Sequence, residues 1–222
     1  MGMRLLVCAG VRPGLGLLSA VVGALFVGLA GIEAAVADVA AGKAAYAVCA
    51  TCHGANGEGN QALNAPRIAG QEPWYIKRQL AAYKAGTRGT AAGDVPGMQM
   101  RPMALTVATP EQEDNLIEYI GTFPVEPSPI TLTDGDAAAG KAAYAVCVAC
   151  HGAAGEGIEA LGGPRLAGQN DWYLALQLQN YKTGLRAYDG SDVYGQQMKP
   201  MAMLLASDKA VNDVVAYINT LR

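Results

Sequence analysis

Histidine is the scarcest metal-binding residue type in this sequence, since 222 residues contain only two, His53 and His151. Any chemistry that joins a histidine to a metal must therefore use these two side chains. Basic residues are also few, because Lys and Arg together number 16 against 19 acidic residues, giving a formal net charge of −3 at pH 7. There is no arginine-rich run and no basic patch, so nucleic acid is not an expected partner.

The sequence also lacks the alternation of apolar and polar residues that indicates strands, and we therefore expect an all-α fold. Apolar residues at helical spacing occur instead within residues 74–84, and again after Thr109 and Ser207, which are placed to cap helices. Thr109 is followed by Pro110 and then by Gln112. This order predicts a capping box with proline at the first helical position.

Residues 1–37 form a segment that we exclude from the fold. Two arginines at its start precede an apolar run over residues 15–30, and the small residues Ala, Val and Ala follow at 35–37. This order is typical of a secretory signal peptide. The alternative is an uncleaved anchor, but the run is shorter than the roughly twenty residues that span a bilayer. Cleavage before Asp38 would remove Cys8 and leave 14 basic and 18 acidic residues, a net charge of −4.

The rest of the chain consists of two tandem sequence repeats, offset by 98 residues. Residues 42–59 and 140–157 agree at 15 of 18 positions, and matches continue without a gap through the remainder of each unit, here called the first and the second repeat. Units of this size can each enclose a core, so we expect two tandem domains, 38–128 and 129–222. Residues 123–136 contain three prolines and are expected to form a non-helical linker.

Each repeat carries one Cys-x-x-Cys-His motif, which is the attachment signature of c-type haem. Two thiols one helical turn apart reach both vinyl groups of a haem, and the histidine that follows lies under the iron as an axial ligand. A thioredoxin-like pair would need a preceding strand, and a four-cysteine zinc site would leave the histidines and the repeat unexplained. We therefore expect two covalently bound haem c groups, held by Cys49, Cys52 and His53 and by Cys147, Cys150 and His151.

The sixth iron ligand must come from another residue type, because both histidines are already used, unless two chains exchange ligands. Methionine is a common axial ligand and raises the reduction potential. A Met-x-Pro-Met stretch occurs in each repeat, in a segment that we expect to be a loop crossing the haem face before the last helix. The two alternative ligand pairs are Met100 with Met198, and Met103 with Met201.

Together these residues resemble the soluble dihaem cytochromes c of the cytochrome c-four group, which consist of two class I cytochrome c domains. The resemblance covers both repeats and rests on the attachment motifs, the Pro-Arg-(Ile/Leu)-Ala-Gly-Gln segments and the methionine stretches. It implies that the Pro66 and Pro164 carbonyls accept hydrogen bonds from the haem-ligating histidine rings. It also favours Met100 and Met198 as ligands, although their spacing from the last helix departs from the family's by one residue.

The resemblance further implies roles for other duplicated side chains. Arg67 and Arg165 are expected to pair with haem propionates, while Trp74 and Trp172 are expected either to touch a propionate or to lie in the core. The first and last helices of each repeat are expected to cross at a small residue and an aromatic residue, namely Gly42 with Tyr119 and Gly140 with Tyr217.

From these features we expect an electron-transfer protein of the periplasm and its respiratory chain, not an enzyme, because two six-coordinate irons leave no position for a substrate. The resemblance implies a cytochrome bc complex as donor and a haem–copper terminal oxidase as acceptor. A dehydrogenase is an alternative donor, and peripheral membrane contact is expected through such partners. The alternatives are a dihaem peroxidase or thiosulfate-oxidising enzyme, which needs an open iron, and a cytochrome subunit of a larger complex. The near-identity of the two repeats argues against the enzyme.

Overall fold

The computed structural model describes residues 37–221, and the predicted signal segment with Cys8 lies outside them. Within the described residues the fold is all-α as predicted, with two isolated β-bridges and no strand. The first repeat contains α1 (Val39–His53), α2 (Pro73–Ala85), α3 (Val95–Thr106) and α4 (Pro110–Gly121). The second contains α5 (Ala137–Tyr144), α6 (Val148–His151), α7 (Asp171–Thr183), α8 (Val193–Met203) and α9 (Asp208–Ile218). No helix between residues 37 and 221 is both long and apolar enough to cross a membrane.

Polar side chains cap the N-termini of two helices at the positions that the sequence predicts. Thr109 Oγ1 accepts from the Gln112 backbone N–H, and the Gln112 side chain accepts from the Thr109 backbone N–H, so the capping box is confirmed. Ser207 caps α9 in the same way, through the Ala210 N–H. Each such cap stabilises its helix by about 1 kcal/mol, because it satisfies donors that have no partner within the helix.

The segment that carries the methionines is helical, so the prediction of a loop is wrong. It forms α3 and α8, each with a proline inside the helix. An interior proline removes one helical hydrogen bond, and two features compensate for that loss in α3. Asp94 caps its N-terminus by accepting from the Gly97 N–H, and Ala104 packs, fully buried, against Leu80 and Tyr83 of α2.

The first and last helices of each repeat cross at a glycine, as expected. A Cβ atom built on Gly42 would lie 2.8 Å from Tyr119 Cβ and 2.7 Å from the Asn115 carbonyl carbon. The equivalent atom on Gly140 would lie 3.0 Å from Tyr217 Cβ. Only glycine lets two helix backbones approach this closely. The crossings fix α1 on α4 and α5 on α9, and therefore fix the attachment motifs at the ends of α1 and α6.

The predicted linker over residues 123–136 contains no helix, which confirms that prediction, and a buried carboxylate ties it to the second repeat. Asp171 accepts hydrogen bonds from Thr131 N (2.6 Å), Thr131 Oγ1 (2.6 Å), Leu132 N (2.9 Å) and Trp172 N (2.7 Å). Burial by itself raises the pKa of Asp171, but these hydrogen bonds outweigh it and hold the pKa below its ordinary value. The carboxylate therefore stays ionised in the folded protein.

Reciprocal hydrogen bonds join the two repeats. Gln169 Nε2 donates to the Arg67 carbonyl (2.9 Å), and Gln71 Nε2, at the matching position, donates to the Arg165 carbonyl (3.2 Å). The Arg67 N–H donates to Asn170 Oδ1 (2.6 Å), and its counterpart on Arg165 donates to a Glu72 carboxylate oxygen (3.0 Å). Contacts in which equivalent residues exchange roles define an isologous interface, as in a two-fold dimer.

Candidate haem sites

Two cavities, one beside each attachment motif, bring the predicted site residues together. Cys49, Cys52 and His53 line the first cavity, and Met100 and Met103 lie on its wall. The second cavity repeats this set with the residues 98 positions later, which are Cys147, Cys150, His151, Met198 and Met201. Each cavity therefore holds two thiols, one imidazole and two thioethers, which is the donor set expected for a haem c site.

Each histidine ring is oriented by a proline carbonyl. The Nδ1–O distance is 2.8 Å from His53 to Pro66 and 2.7 Å from His151 to Pro164. A carbonyl oxygen only accepts, so Nδ1 carries the proton and Nε2 has a free lone pair. Burial lowers the pKa of both histidines, which favours the neutral imidazole that a metal requires. This hydrogen bond also fixes the ring plane and raises the basicity of the ligand nitrogen.

A buried tyrosine holds the end of each attachment helix. Tyr46 Oη donates to the Gly54 carbonyl (2.7 Å), and Tyr144 Oη donates to the Gly152 carbonyl (2.9 Å). Both rings lie in the hydrophobic cores. Burial raises the pKa of both hydroxyls, so they remain protonated donors. The histidines thus sit at helix ends that are fixed by the core as well as by the prolines.

The two candidate methionines within each repeat lie one helical turn apart but differ in burial. Met100 is partly buried and packs against the α2–α3 core, whereas Met103 is 37% exposed. Met198 packs in the same way against Tyr181, Ala187 and Ala202, whereas Met201 is 40% exposed. A side chain held by packing loses less conformational entropy when it binds a metal. The burial therefore favours Met100 and Met198.

The arginines predicted to contact propionates both line cavities, Arg67 the first and Arg165 the second. Their side chains also serve the fold, because Arg67 Nε donates to Ser128 Oγ (2.9 Å) and Arg165 Nε donates to the Ala167 carbonyl (3.1 Å). Trp74 and Trp172 are not among the residues lining either cavity. Each instead stacks edge-on with the tyrosine that follows it.

A buried polar cluster between the two cavities was not predicted from the sequence. Arg88 Nη1 donates to Gln79 Oε1 (2.6 Å), and Arg88 Nη2 donates to Tyr173 Oη (3.0 Å) and Gln177 Oε1 (3.2 Å). Arg88 is 8% exposed and takes part in none of the ion pairs found among residues 37–221. Its charge is therefore buried with neutral partners only.

Arg186 repeats this arrangement from the other side. Its Nη1 donates to Gln177 Oε1 (2.9 Å), and its Nη2 donates to Tyr75 Oη (3.1 Å) and Gln79 Oε1 (3.1 Å). The side chain lines both cavities, and its buried Nε has no hydrogen-bond partner within residues 37–221. The one sequence signal for this cluster is that its members match in pairs at the repeat offset, namely Arg88 with Arg186, Gln79 with Gln177 and Tyr75 with Tyr173.

The residues present fit haem c in both cavities. A buried guanidinium N–H without an acceptor costs about 1–3 kcal/mol, and Arg78 Nε and Arg186 Nε are two such groups on the walls of the second cavity. Haem carries two carboxylates, which would supply acceptors and compensate the buried charge. The thiols, the imidazole with a free Nε2 and the partly buried thioether match the remaining requirements of the cofactor.

The chain is similar to known proteins. The chain matches the cytochrome c family over residues 39–124 and 137–222. It is 32% identical to cytochrome c4 of Pseudomonas aeruginosa over 207 residues, which cover 89% of this chain and 95% of that protein. It is 33% identical to the thiosulfate dehydrogenase electron acceptor of Stutzerimonas stutzeri over 180 residues, 76% of either chain.

A solved structure agrees with the fold as well as the sequence. The crystal structure of reduced recombinant cytochrome c4 from Pseudomonas stutzeri superposes with a TM-score of 0.65 at 29% identity, and the match covers 84% of this chain and 100% of that one. Family, relatives and structure thus agree with the paired attachment motifs. The chain belongs to the cytochrome c family, as an electron-transfer protein of the cytochrome c4 type that binds two haem c groups covalently in two tandem domains.

Proposed function

We propose that this protein is a periplasmic carrier that takes electrons from a cytochrome bc complex or a dehydrogenase and delivers them to a haem–copper terminal oxidase. The observation that carries the proposal is the equivalence of the two sites. Each has a proline-oriented histidine and a packed methionine that line the same cavity. A haem held by one histidine and one methionine in each site would leave no iron position for a substrate.

When bound, each haem supplies a one-electron Fe(III)/Fe(II) couple. The chain holds the cofactor through Cys49 and Cys52, and through Cys147 and Cys150. His53 and His151 would each provide a nitrogen ligand to the iron, with Pro66 and Pro164 fixing the ring orientation. The apolar wall of each cavity and the buried cations around it set the potential.

Met100 and Met198 are proposed as the second axial ligands. They are the more buried of the two pairs and pack against the helix that precedes them. A thioether ligand stabilises Fe(II) and so raises the potential. Arg67 and Arg165 are proposed to pair with propionates, since both line cavities.

A dehydrogenase as donor has a specific observation in its favour. The relative in Stutzerimonas stutzeri is named as the electron acceptor of a thiosulfate dehydrogenase, and it matches this chain over 76% of its length. A role as acceptor from a dehydrogenase, or as cytochrome subunit of such a complex, needs the same closed haem sites. A peroxidase or thiosulfate-oxidising enzyme would need one open iron instead.

The remaining parts of the proposal rest on sequence patterns. Residues 1–37 act as a cleaved signal peptide that sends the chain to the periplasm, where c-type haem is attached. The domains extend over residues 38–128 and 129–222. The boundary near Ser128 falls inside the linker, which contains no helix over residues 124–133.

The carrier proposal is tested by absorption spectra of the purified ferric and ferrous protein, with haem content per chain and a carbon monoxide challenge. We expect two haems per chain, both low-spin with the weak methionine–iron charge-transfer band, and no carbon monoxide adduct. A high-spin fraction or an adduct would show an open iron. That result would refute the carrier proposal and favour the alternative of a dihaem enzyme.

The ligand assignment is tested by Met198→Ala, with Met201→Ala as its matched control on the same helix. We expect Met198→Ala to abolish the charge-transfer band of one haem and to lower the potential of that haem only. Met201→Ala should leave both haems low-spin. If Met201→Ala removes the band instead, the assignment is displaced by three residues in both repeats.

A further inference from the structure

One arginine that lines a haem site has no arginine at the matching position of the other repeat. Arg78 lies on α2 of the first repeat, yet it lines the second cavity together with Cys150 and His151. The residue at the matching position of the second repeat is Leu176, which is apolar and is absent from the wall of the first cavity. Only the second haem therefore has this cation in its wall.

The guanidinium of Arg78 is held in place from several sides. Its Cζ lies 4.1 Å from the ring centroid of Tyr194, 4.8 Å from that of Trp74 and 5.3 Å from that of Tyr75. Its Nη2 donates to the Gly162 carbonyl at 2.6 Å, across the boundary between the repeats. Cation–π contacts attract the guanidinium and restrict its orientation. Arg78 is thus a fixed charge at this position and not a freely moving surface side chain.

This charge is only partly compensated. Arg78 Nε is buried without a hydrogen-bond partner, and no carboxylate pairs with Arg78 among the ion pairs of residues 37–221. Aromatic rings and a carbonyl supply partial negative charge, but an anion would satisfy the site fully. The anion that a haem cavity offers is a haem carboxylate.

We propose that Arg78 is a haem-binding residue of the second repeat supplied by the first, and that it raises the potential of the second haem selectively. The inference rests on the haem sites proposed above. A positive charge beside a haem disfavours its ferric state, which carries one more positive charge than the ferrous state. The potential of the second haem then depends on the docking of the two repeats, whereas Arg78 does not act on the first haem.

The test compares Arg78→Met with Lys77→Met in the full-length holoprotein by two-step spectroelectrochemical titration. Both variants lose one positive charge from α2, but Lys77 is exposed and paired with Asp114 at 2.6 Å. We expect Arg78→Met to shift the Fe(III)/Fe(II) equilibrium of one haem toward Fe(III) on the order of three- to tenfold. A tenfold shift corresponds to ~59 mV for one electron. Lys77→Met should shift neither haem.

Two further variants separate charge from packing. Arg78→Lys keeps the charge and should leave the potential of the second haem close to that of the unmodified protein. Arg78→Gln removes the charge but keeps a polar side chain, so it should show the shift expected for Arg78→Met even if Arg78→Met folds poorly. Paramagnetic NMR of the ferric protein assigns the shifted haem. Its resonances should show contacts with Leu205 and Val214 of the second cavity wall.

Several outcomes would overturn the inference. They are an unchanged potential in both neutral variants, an equal shift of both haems, a shift of the first haem alone, or a shift in Arg78→Lys as large as that in Arg78→Gln. Failure of the carrier proposal gives a different signal. It would appear as a carbon monoxide adduct or high-spin iron in the unmodified protein.

Discussion

The helix crossing at Gly42 provides the most direct test of the fold, through the substitution Gly42→Ala. The new Cβ would collide with the Asn115 carbonyl oxygen and would lie 2.7 Å from the carbonyl carbon. Ordinary contacts begin at 3.4 Å, so α1 and α4 must separate by more than about 0.7 Å. The atoms that it meets belong to backbone and to Tyr119 Cβ, and no side-chain rotation relieves the contact.

The expected cost follows from two opposing effects. Overpacking in a tight core costs typically 1–3 kcal/mol, and a backbone obstacle places this site at the upper end. Replacing glycine by alanine inside a helix returns about 1 kcal/mol of helix propensity. We therefore expect Gly42→Ala to lower the free energy of unfolding by about 2 kcal/mol.

The assay is denaturant unfolding of the holoprotein followed by circular dichroism, with haem content checked for each variant. Gly121→Ala is the matched control, because Gly121 lies on α4 and a Cβ there would have no other atom within 4 Å. It should be neutral or slightly stabilising. If Gly42→Ala proves as stable as Gly121→Ala, the close crossing of α1 and α4 does not exist as described.

Three further changes test individual hydrogen bonds. Asp171→Asn should lower the free energy of unfolding by about 2–4 kcal/mol at pH 7. Because the folded pKa of Asp171 is lowered, the difference in stability between the variant and the unmodified protein should shrink as pH falls below about 3.9 and through that folded pKa. A stability difference that grows in this range would refute the assignment. Tyr188→Phe removes the hydrogen bond that the hydroxyl donates to the Gly86 carbonyl (2.7 Å) and the one that it accepts from the Thr90 N–H (3.2 Å), together with its 2.7 Å contact with Thr90 Oγ1. We expect a loss of at least about 0.5–1.5 kcal/mol in thermal unfolding, and no loss at all would contradict the contact between the repeats. Tyr144→Phe leaves the Gly152 carbonyl without this donor, and we expect a loss of about 1–3 kcal/mol by denaturant titration, with an unchanged midpoint counting against the role of the hydroxyl.

Local patterns in the sequence predicted local structure well. Thr109, Pro110 and Gln112 lie within a few residues of each other, so their capping box is specified without knowledge of the rest of the fold. The attachment motifs are equally local. Pro66 was reached by resemblance, and its carbonyl does lie at 2.8 Å from the His53 ring.

Non-local packing determines the two features that the sequence did not predict, the helical methionine segment and the buried arginine cluster. Pro102 suggested a loop, yet the segment is helical because Asp94 caps it and Ala104 is buried against α2. The arginine cluster depends on residues far apart in the chain, since Arg88 and Tyr173 are separated by 85 positions. Their contact follows from the docking of the two repeats, and no single-repeat pattern indicates it.

The isologous interface also determines how the two haem sites are related. Gln79 Oε1 accepts from Arg88 of its own repeat (2.6 Å) and from Arg186 of the other (3.1 Å), and Gln177 Oε1 does the same in reverse. The two arginines are therefore buried in one wall between the cavities, to which both repeats contribute hydrogen-bond partners. Separating the repeats would expose that wall and remove two of the three hydrogen-bond partners of each arginine. The duplicated chain is accordingly one redox unit with two sites, and departures from its symmetry, such as Arg78, are where the two haems acquire different properties.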